Sequence, residues 1–290
     1  MIAGMTYYQI CSYFIIYAFL GWCLEVVYQA VKRGKIINRG FLCGPVCPVY
    51  GFGVLAVFAL TKSNILEKVG FSQSALTEGN DFKSILMVYA AGVLLATVVE
   101  LVAGWLLDVL FHARWWDYSK EPFNFRGYIC LRFSLIWGAA ILLVVRVLQP
   151  ALEKKPASPL PQKYGWIILA VLYAILLVDL IVTVSIVAGL NKKLSELDKL
   201  QQELKKPSNA LSQKLGGDTI KVTQDVQKVK EQADTAQQEM QARIDARKKE
   251  ITGSGTFFGA KRLLNAFPDL KHRLYPESVK EVMEADSQSI

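Results

Sequence analysis

The chain has 290 residues, of which 52% are hydrophobic and 20% charged, with a formal net charge of +8. The hydrophobic residues fall in long blocks instead of being spread around one soluble core, which excludes an ordinary water-soluble domain. No basic run is interleaved with aromatics as in a nucleic-acid groove, so the positive charge argues against nucleic acid and for basic loops lying beside anionic membrane lipid.

An apolar run of roughly 18 residues or more matches a hydrocarbon slab about 30 Å thick. Five such blocks run over 8–31, 45–61, 84–111, 127–148 and 164–190. They predict an all-α fold: a polytopic transmembrane helical bundle of about five spans. The first block has no Lys or Arg before it and carries Glu25, so it reads as a retained span and not a secretory signal. The second is shorter and opens with Gly44, Pro45 and Pro48. A half-length re-entrant helix is the alternative there.

Charges inside these blocks carry the functional signal. A charge in the bilayer costs at least ~2.5–3.5 kcal/mol on insertion scales, so it normally faces the bundle interior or water. Glu25, Glu100, Asp108, Arg132 and Asp179 are of this kind. Gly21, Glu25, Gln29 and Arg33 recur every four residues on one helical face, as do Glu100, Gly104 and Asp108, with Thr97 alongside. Tyr128 with Arg132, and Asp179 with Thr183, repeat the four-residue step. The polar faces therefore predict one interior seam, with a cavity in the cytoplasmic half of the membrane. Structural ion pairs that only hold helices together are the competing reading.

Two loops flank this seam. The first, from Asn38 and Arg39 to Gly53, is rich in glycine and proline, which dictates a tight, non-helical path before the second span. Irregular backbone at membrane depth is tolerated only where protein or a water-filled cavity satisfies it. Cys43 and Cys47 in this loop have no nearby His, so a zinc site is not expected, and a loop facing a reducing cytoplasm would not form a disulfide between them. The second loop places Trp116, Asp117, Tyr118, Asn124 and Arg126 close together. Aromatics anchor at interfaces for ordinary reasons, but the Arg, Asp and Asn among them suit a head group or anionic solute.

Basic loops stay in the cytoplasm. With five spans, the segments 32–44, 112–126 and the start of the tail share one face and carry more Lys and Arg than the opposite face. This predicts a multi-pass protein of the cell membrane with its N-terminus outside and its tail cytoplasmic.

The strings Gly21-Trp22-x-x-Glu25, Asn38-Arg39-Gly40-Phe41-Leu42-x-Gly44-Pro45-x-x-Pro48-x-Tyr50-Gly51, Glu100 and Trp116-Asp117-Tyr118-Ser119 resemble a bacterial family of ABC-transporter type IV permeases. The resemblance covers roughly residues 7–150. It implies a permease in a bacterial cytoplasmic membrane, partnered by an ATPase. This chain has no G-x-x-x-x-G-K-[ST] string, so that ATPase would be a separate subunit.

Behind the spans the chemistry turns to Lys, Glu, Gln and Asp, which divides the chain into a membrane domain over 1–190, a cytoplasmic helical or coiled-coil segment over 191–252, and a last part over 253–290. Val226, Val229, Ala233, Ala236, Met240 and Ile244 approximate heptad spacing, which would serve self-association or a partner helix. Leu190, Leu194, Leu197, Leu200 and Leu204 form a shorter segment before Pro207 and Gly216-Gly217, and the two segments could fold back as a helical hairpin. The last part reads as a flexible Gly253-Ser254-Gly255 joint, a basic amphipathic stretch over 257–275 suited to anionic lipid, and a disordered end.

Three functions fit these features. The first is a permease-like component binding its substrate through Glu25, Asn38, Arg39, Glu100, Asp108, Trp116, Asp117, Tyr118, Asn124, Arg126, Arg132 and Asp179. The second is a membrane-anchored scaffold using the tail. The third, an intramembrane enzyme on a lipid head group, would use Glu25, Glu100 and Asp117 as acid/base groups with Arg39 and Arg132 as anion clamps. It is the least favoured, since no nucleophile–base pair stands out, and neither a cofactor nor a metal is called for.

Overall fold

The computed structural model describes residues 5–61, 81–154, 162–215, 223–253 and 259–287. The chain divides into two compact units, Met1–Thr183 and Val184–Ile290.

The first unit is built from helices. α1 (Tyr7–Arg33) starts at a capping box, where Thr6 and Gln9 exchange side-chain and backbone hydrogen bonds, and stops at Gly34, whose φ of 66° suits a residue without a Cβ. α2 (Pro48–Thr61) follows a non-helical loop. α3 (Phe82–Phe111) starts at the Asp81 cap. A short antiparallel hairpin, β1 (Asn124–Phe125) with β2 (Ile129–Cys130), leads into α4 (Leu131–Leu143). A π-helical turn, Val144–Leu148, joins α4 to α5 (Gln149–Lys154). Pro150 offers no N–H to Arg146, and the widened turn just before it absorbs that missing bond. α6 (Gln162–Leu215) begins in this unit and continues into the second.

Among the described residues, four helical stretches are long and apolar enough to cross a membrane: Tyr7–Arg33, Phe82–Phe111, Leu131–Glu153 and Gln162–Lys205. The fold is the expected all-α bundle of membrane helices. The fifth expected span is the short α2. Its 14 residues rise about 21 Å at ~1.5 Å per residue, less than a hydrocarbon core of ~30 Å.

Side-chain contacts give the helix directions. Gly21 of α1 lies against Tyr50 of α2, while Phe14 touches Gly51 and Phe52, so the two helices run antiparallel. Tyr8 packs on Trp166, and Tyr173 donates to the Cys11 carbonyl, whereas Asp179 meets the loop after α1. α6 therefore runs parallel to α1. Phe41, in that same loop, packs on Phe111 and Trp115 at the end of α3, so α3 also runs with α1, and α4 runs against them.

The core joins Tyr13 and Tyr17 of α1, Val54, Val57 and Phe58 of α2, Val88 of α3, Ile141 of α4 and Val145. α3 and α4 cross closely. A Cβ on Gly138 would lie 2.3 Å from Val93, and one on Gly92 would lie 2.9 Å from Ile141, the small-residue contact typical of membrane helices. The other faces carry exposed Leu, Ile, Val and Phe, which in a bilayer face lipid.

In the second unit, α6 pairs with α7 (Thr223–Thr252). Lys193 meets Glu250 at 3.1 Å and Glu196 meets Arg247 at 2.6 Å, an antiparallel order that makes the two a helical hairpin. α6 continues through Pro207 to Leu215, past the expected break. Ile244 and Ile251, seven residues apart, are buried, while Ala236 is exposed. The side chains of Val226, Val229 and Ala233, and residues Gly216-Gly217, lie outside the described residues, as do Ser254 and Gly255 of the expected joint.

α8 (Ala260–Ala266) and α9 (Pro276–Ser287) complete this unit. Leu263, Leu264, Phe267 and Leu270, the apolar half of the segment read as lipid-seeking, are buried, as are Val279 and Val282 of α9. An amphipathic stretch can cover a neighbouring helix as readily as a membrane, and here Lys248 of α7 pairs with Glu281 of α9 at 2.6 Å.

Candidate functional site

The loop between α1 and α2 does not stay at the end of the bundle. The backbone N–H of Cys47 donates to the carbonyl of Ala18 at 2.9 Å. Ala18 lies 15 residues before Arg33, about 22 Å back along the helix axis at ~1.5 Å per residue. The chain thus re-enters the bundle in irregular conformation, and its polar groups must find partners there.

Two side chains supply them, and a third supports one of the two. Asp179 of α6 accepts the N–H of Cys43 at 2.9 Å on Oδ1 and that of Gly44 at 2.8 Å on Oδ2. Its neighbour one turn on, Thr183, donates to Oδ1 at 3.2 Å. Asn38 accepts from the Trp22 indole at 2.7 Å and donates to the Cys43 carbonyl at 2.7 Å. Cys43 and Cys47 are both free thiols.

Beside this loop lies a cluster of charges and phenols. Glu25 pairs with Arg39 at 3.3 Å, their side chains 23% and 18% exposed. Its other oxygen accepts from the Tyr50 hydroxyl at 2.6 Å. Tyr50 can stand there because Gly21 lets it close in: a Cβ at Gly21 would lie 2.2 Å from the Tyr50 ring. The Tyr50 ring meets Trp137 edge-on at 5.6 Å. Glu100 of α3 accepts from Tyr118 at 3.0 Å, and the Trp137 indole is a second donor beside this buried carboxylate. Tyr118 stacks on Phe133 at 4.8 Å. Burial, followed by the Glu100 carboxylate, pushes the Tyr118 phenol well above its ordinary value, so it remains a donor at any physiological pH.

Asp108 is the centre of a second cluster. It is 1% exposed and accepts from Tyr128 at 2.6 Å and Arg114 at 3.3 Å. Arg114 also lies over the Tyr128 ring at 4.8 Å. Trp116 donates its indole N–H to the Tyr128 carbonyl at 2.9 Å, and both rings pack on Gly104. Burial and the Asp108 bond raise the Tyr128 phenol.

The structure thus brings Glu25, Arg39, Asn38, Glu100, Tyr118 and Asp179 to one end of the bundle, with Asp108 and Trp116 one cluster away. It does not bring in the rest. Arg132 turns outward, 67% exposed, and pairs with Glu121 at 3.7 Å, because α4 starts only at Leu131 and residue 132 lies on its outer side. Asp117 bonds to the Ser119 backbone at 3.0 Å and to its hydroxyl, shaping a turn. Asn124 and Arg126 are exposed on the hairpin. Asn124 ties it together through the Glu121 carbonyl at 2.8 Å and the Gly127 N–H at 3.2 Å.

The sequence reading missed Tyr50 and Trp137 as seam residues and passed over the extent of Gln29's burial. Gln29, one turn from Glu25, is 1% exposed with neither amide atom partnered among the described residues. Its place on the Gly21–Arg33 polar face was the available signal, as Tyr50's place in the Gly/Pro loop string was for it.

The loop tied to an intramembrane carboxylate, with paired Glu and Arg beside it, lies inside the stretch that a family model matches. The family model described as "Putative ABC-transporter type IV" matches residues 12–184. The chain belongs to that family. The match takes in both clusters and ends one residue after Thr183, at the boundary of the first unit. Neither a curated protein nor a solved structure matches the chain. Family and apolar helices together make this a membrane protein of ABC-transporter type.

Proposed function

We propose that this family member is the membrane-spanning, permease-like component of a transporter, and that the Glu25–Arg39–Tyr50 and Glu100–Tyr118 groups line its polar path. The observation that carries the reading is the pair of carboxylates inside the bundle. Glu25 is balanced by Arg39, whereas Glu100 has only the neutral donors Tyr118 and Trp137 and no basic partner among the described residues. A bundle held together only by ion pairs has no use for such a group, since a buried carboxylate without a cation costs stability. A path that must take up a polar solute does. Asn38 and Asp179 position the re-entrant loop against this path, and Asp108 and Trp116 brace its floor.

The path opens to the cytoplasm in this reading, with the N-terminus outside and the tail inside. Lys32, Arg33, Lys35, Arg39, Arg114, Lys120 and Arg126 all belong to the end where α1 and α3 stop, which supports that orientation. The chain carries no P-loop string, so energy comes from a separate ATPase subunit.

Purification from native membranes in mild detergent, with mass spectrometry of bound proteins, tests this. A stoichiometric P-loop ATPase is expected. Repeated recovery of the chain alone, or with a soluble partner held by the second unit, would sink the permease reading and favour a scaffold.

A further inference from the structure

The hairpin between α3 and α4 has a feature that the polar path does not use. Phe123 is 83% exposed and Phe125 54% exposed, on a turn held rigid by the Asn124 bonds and by the Leu131 N–H on the Phe123 carbonyl at 3.3 Å. Phe123 and Arg126 both have positive φ, 52° and 50°. That conformation favours glycine, and for a bulky aromatic it is strained. Phe123 is too exposed for packing to compensate the strain. The side chain is therefore there for something outside the protein.

The surroundings say what that is. Lys120 and Arg126 have no acidic partner among the described residues, and the Arg126 guanidinium lies over the Phe125 ring at 5.8 Å, so the cation and ring point outward together. On either side the exposed apolar faces continue: Trp105 and Leu110 on α3, and Leu131 and Leu135 on α4. These are faces of candidate membrane spans, so the hairpin sits at the edge of the lipid-facing belt. Aromatics at the level of the head groups with cations beside them match an anionic lipid surface.

We infer that the 119–130 hairpin is an anchor for anionic lipid: Phe123 and Phe125 enter the boundary between head groups and acyl chains, and Lys120 and Arg126 hold lipid phosphates. This role does not depend on the permease reading.

The test uses the full chain in lipid nanodiscs, with 4-fluorophenylalanine placed at position 123 and its fluorine resonance recorded. A nitroxide on the lipid acyl chain is expected to broaden that resonance strongly, and a water-soluble paramagnetic agent hardly at all. Broadening by the water-soluble agent alone overturns the proposal, and so does protection from both agents, which would mean a protein covers the hairpin. Neutralising Lys120 and Arg126 (K120Q and R126Q) should reduce the preference for phosphatidylglycerol over phosphatidylcholine in spin-labelled-lipid competition by roughly fivefold per cation. An unchanged preference overturns the head-group part. Phe123→Gly keeps the test independent of folding: it should leave thermal stability in detergent equal or raised, because the strain is relieved. A large loss would make Phe123 a packing residue and contradict the inference.

Discussion

The carboxylate of Asp179 and the backbone N–H of Gly44 lie 2.8 Å apart although 135 residues separate them. With the parallel bond to Cys43, this contact ties the Gly/Pro-rich loop to a membrane helix. A hydrogen bond to a charged group contributes roughly 1.5–3 kcal/mol, and an orphaned buried donor costs about as much. Asp179→Ala should therefore lower stability in detergent by about 3 kcal/mol. Asp179→Asn, which keeps one acceptor oxygen, should lose about half of that. Thermal unfolding followed by circular dichroism measures both, and a wild-type melting point for the alanine variant would rule the anchor out.

Gly21 and Tyr50 supply a second expectation. A Cβ at position 21 would come within 2.2 Å of the Tyr50 ring, and a ring held on Glu25 at 2.6 Å has little room to move. Gly21→Ala should cost ~1–3 kcal/mol, the usual range for overpacking. Intrinsic helix propensity alone would make the same change stabilising, so the sign of the measured shift decides between them.

Much of this arrangement was legible beforehand, for identifiable reasons. Intramembrane charge is costly enough that Glu25, Glu100, Asp108 and Asp179 stood out, and the four-residue repeat placed Glu25 on a face with Gly21 and Gln29. The Gly/Pro density announced a non-helical path, which holds over residues 34–47, whereas α2 already begins at Pro48 and takes in Gly51 and Gly53. Arg132 was misplaced because an apolar block does not reveal where its helix starts. The chain spends residues 127–130 in a hairpin, and Tyr128 turns to Asp108 while Arg132 turns out. The depth of re-entry to Ala18 was invisible, since a backbone-to-backbone bond leaves no mark in side-chain type. Leu263, Leu264 and Phe267 show another limit: periodicity reports an apolar face but not whether lipid or a helix covers it.

The Glu25–Arg39 pair should show strong coupling. Removing one partner leaves the other charge largely buried, a loss typically of about 3–5 kcal/mol, whereas replacing both is far milder. A double-mutant cycle with Glu25→Gln and Arg39→Gln should therefore give a double variant more stable than the sum of the single losses predicts. Simple additivity would show that the two side chains do not meet.

In the second unit, Glu250 accepts from Lys193 and Arg247, and these bonds lower its carboxyl below the usual glutamate range. A lowered value means the folded state binds that proton less readily than the unfolded chain. The contribution is full above the unfolded glutamate range and is lost as pH falls through the folded value. Glu250→Gln should flatten the acid limb of the stability–pH curve without changing its neutral limb's slope. The midpoint of Glu250 itself, followed by carbon NMR of the side-chain carboxyl, should lie below that of a glutamate in an unstructured peptide.

A polar path requires that water and solute reach Glu100 from the cytoplasmic end of the bundle. The direct measurement uses Glu100→Cys in a chain whose five native cysteines are replaced. A membrane-impermeant thiol reagent is applied to sealed right-side-out and inside-out vesicles. Labelling in inside-out vesicles alone is the predicted result. Labelling from the opposite face, or from neither while a small permeant reagent still reacts, would contradict a cytoplasm-facing polar path.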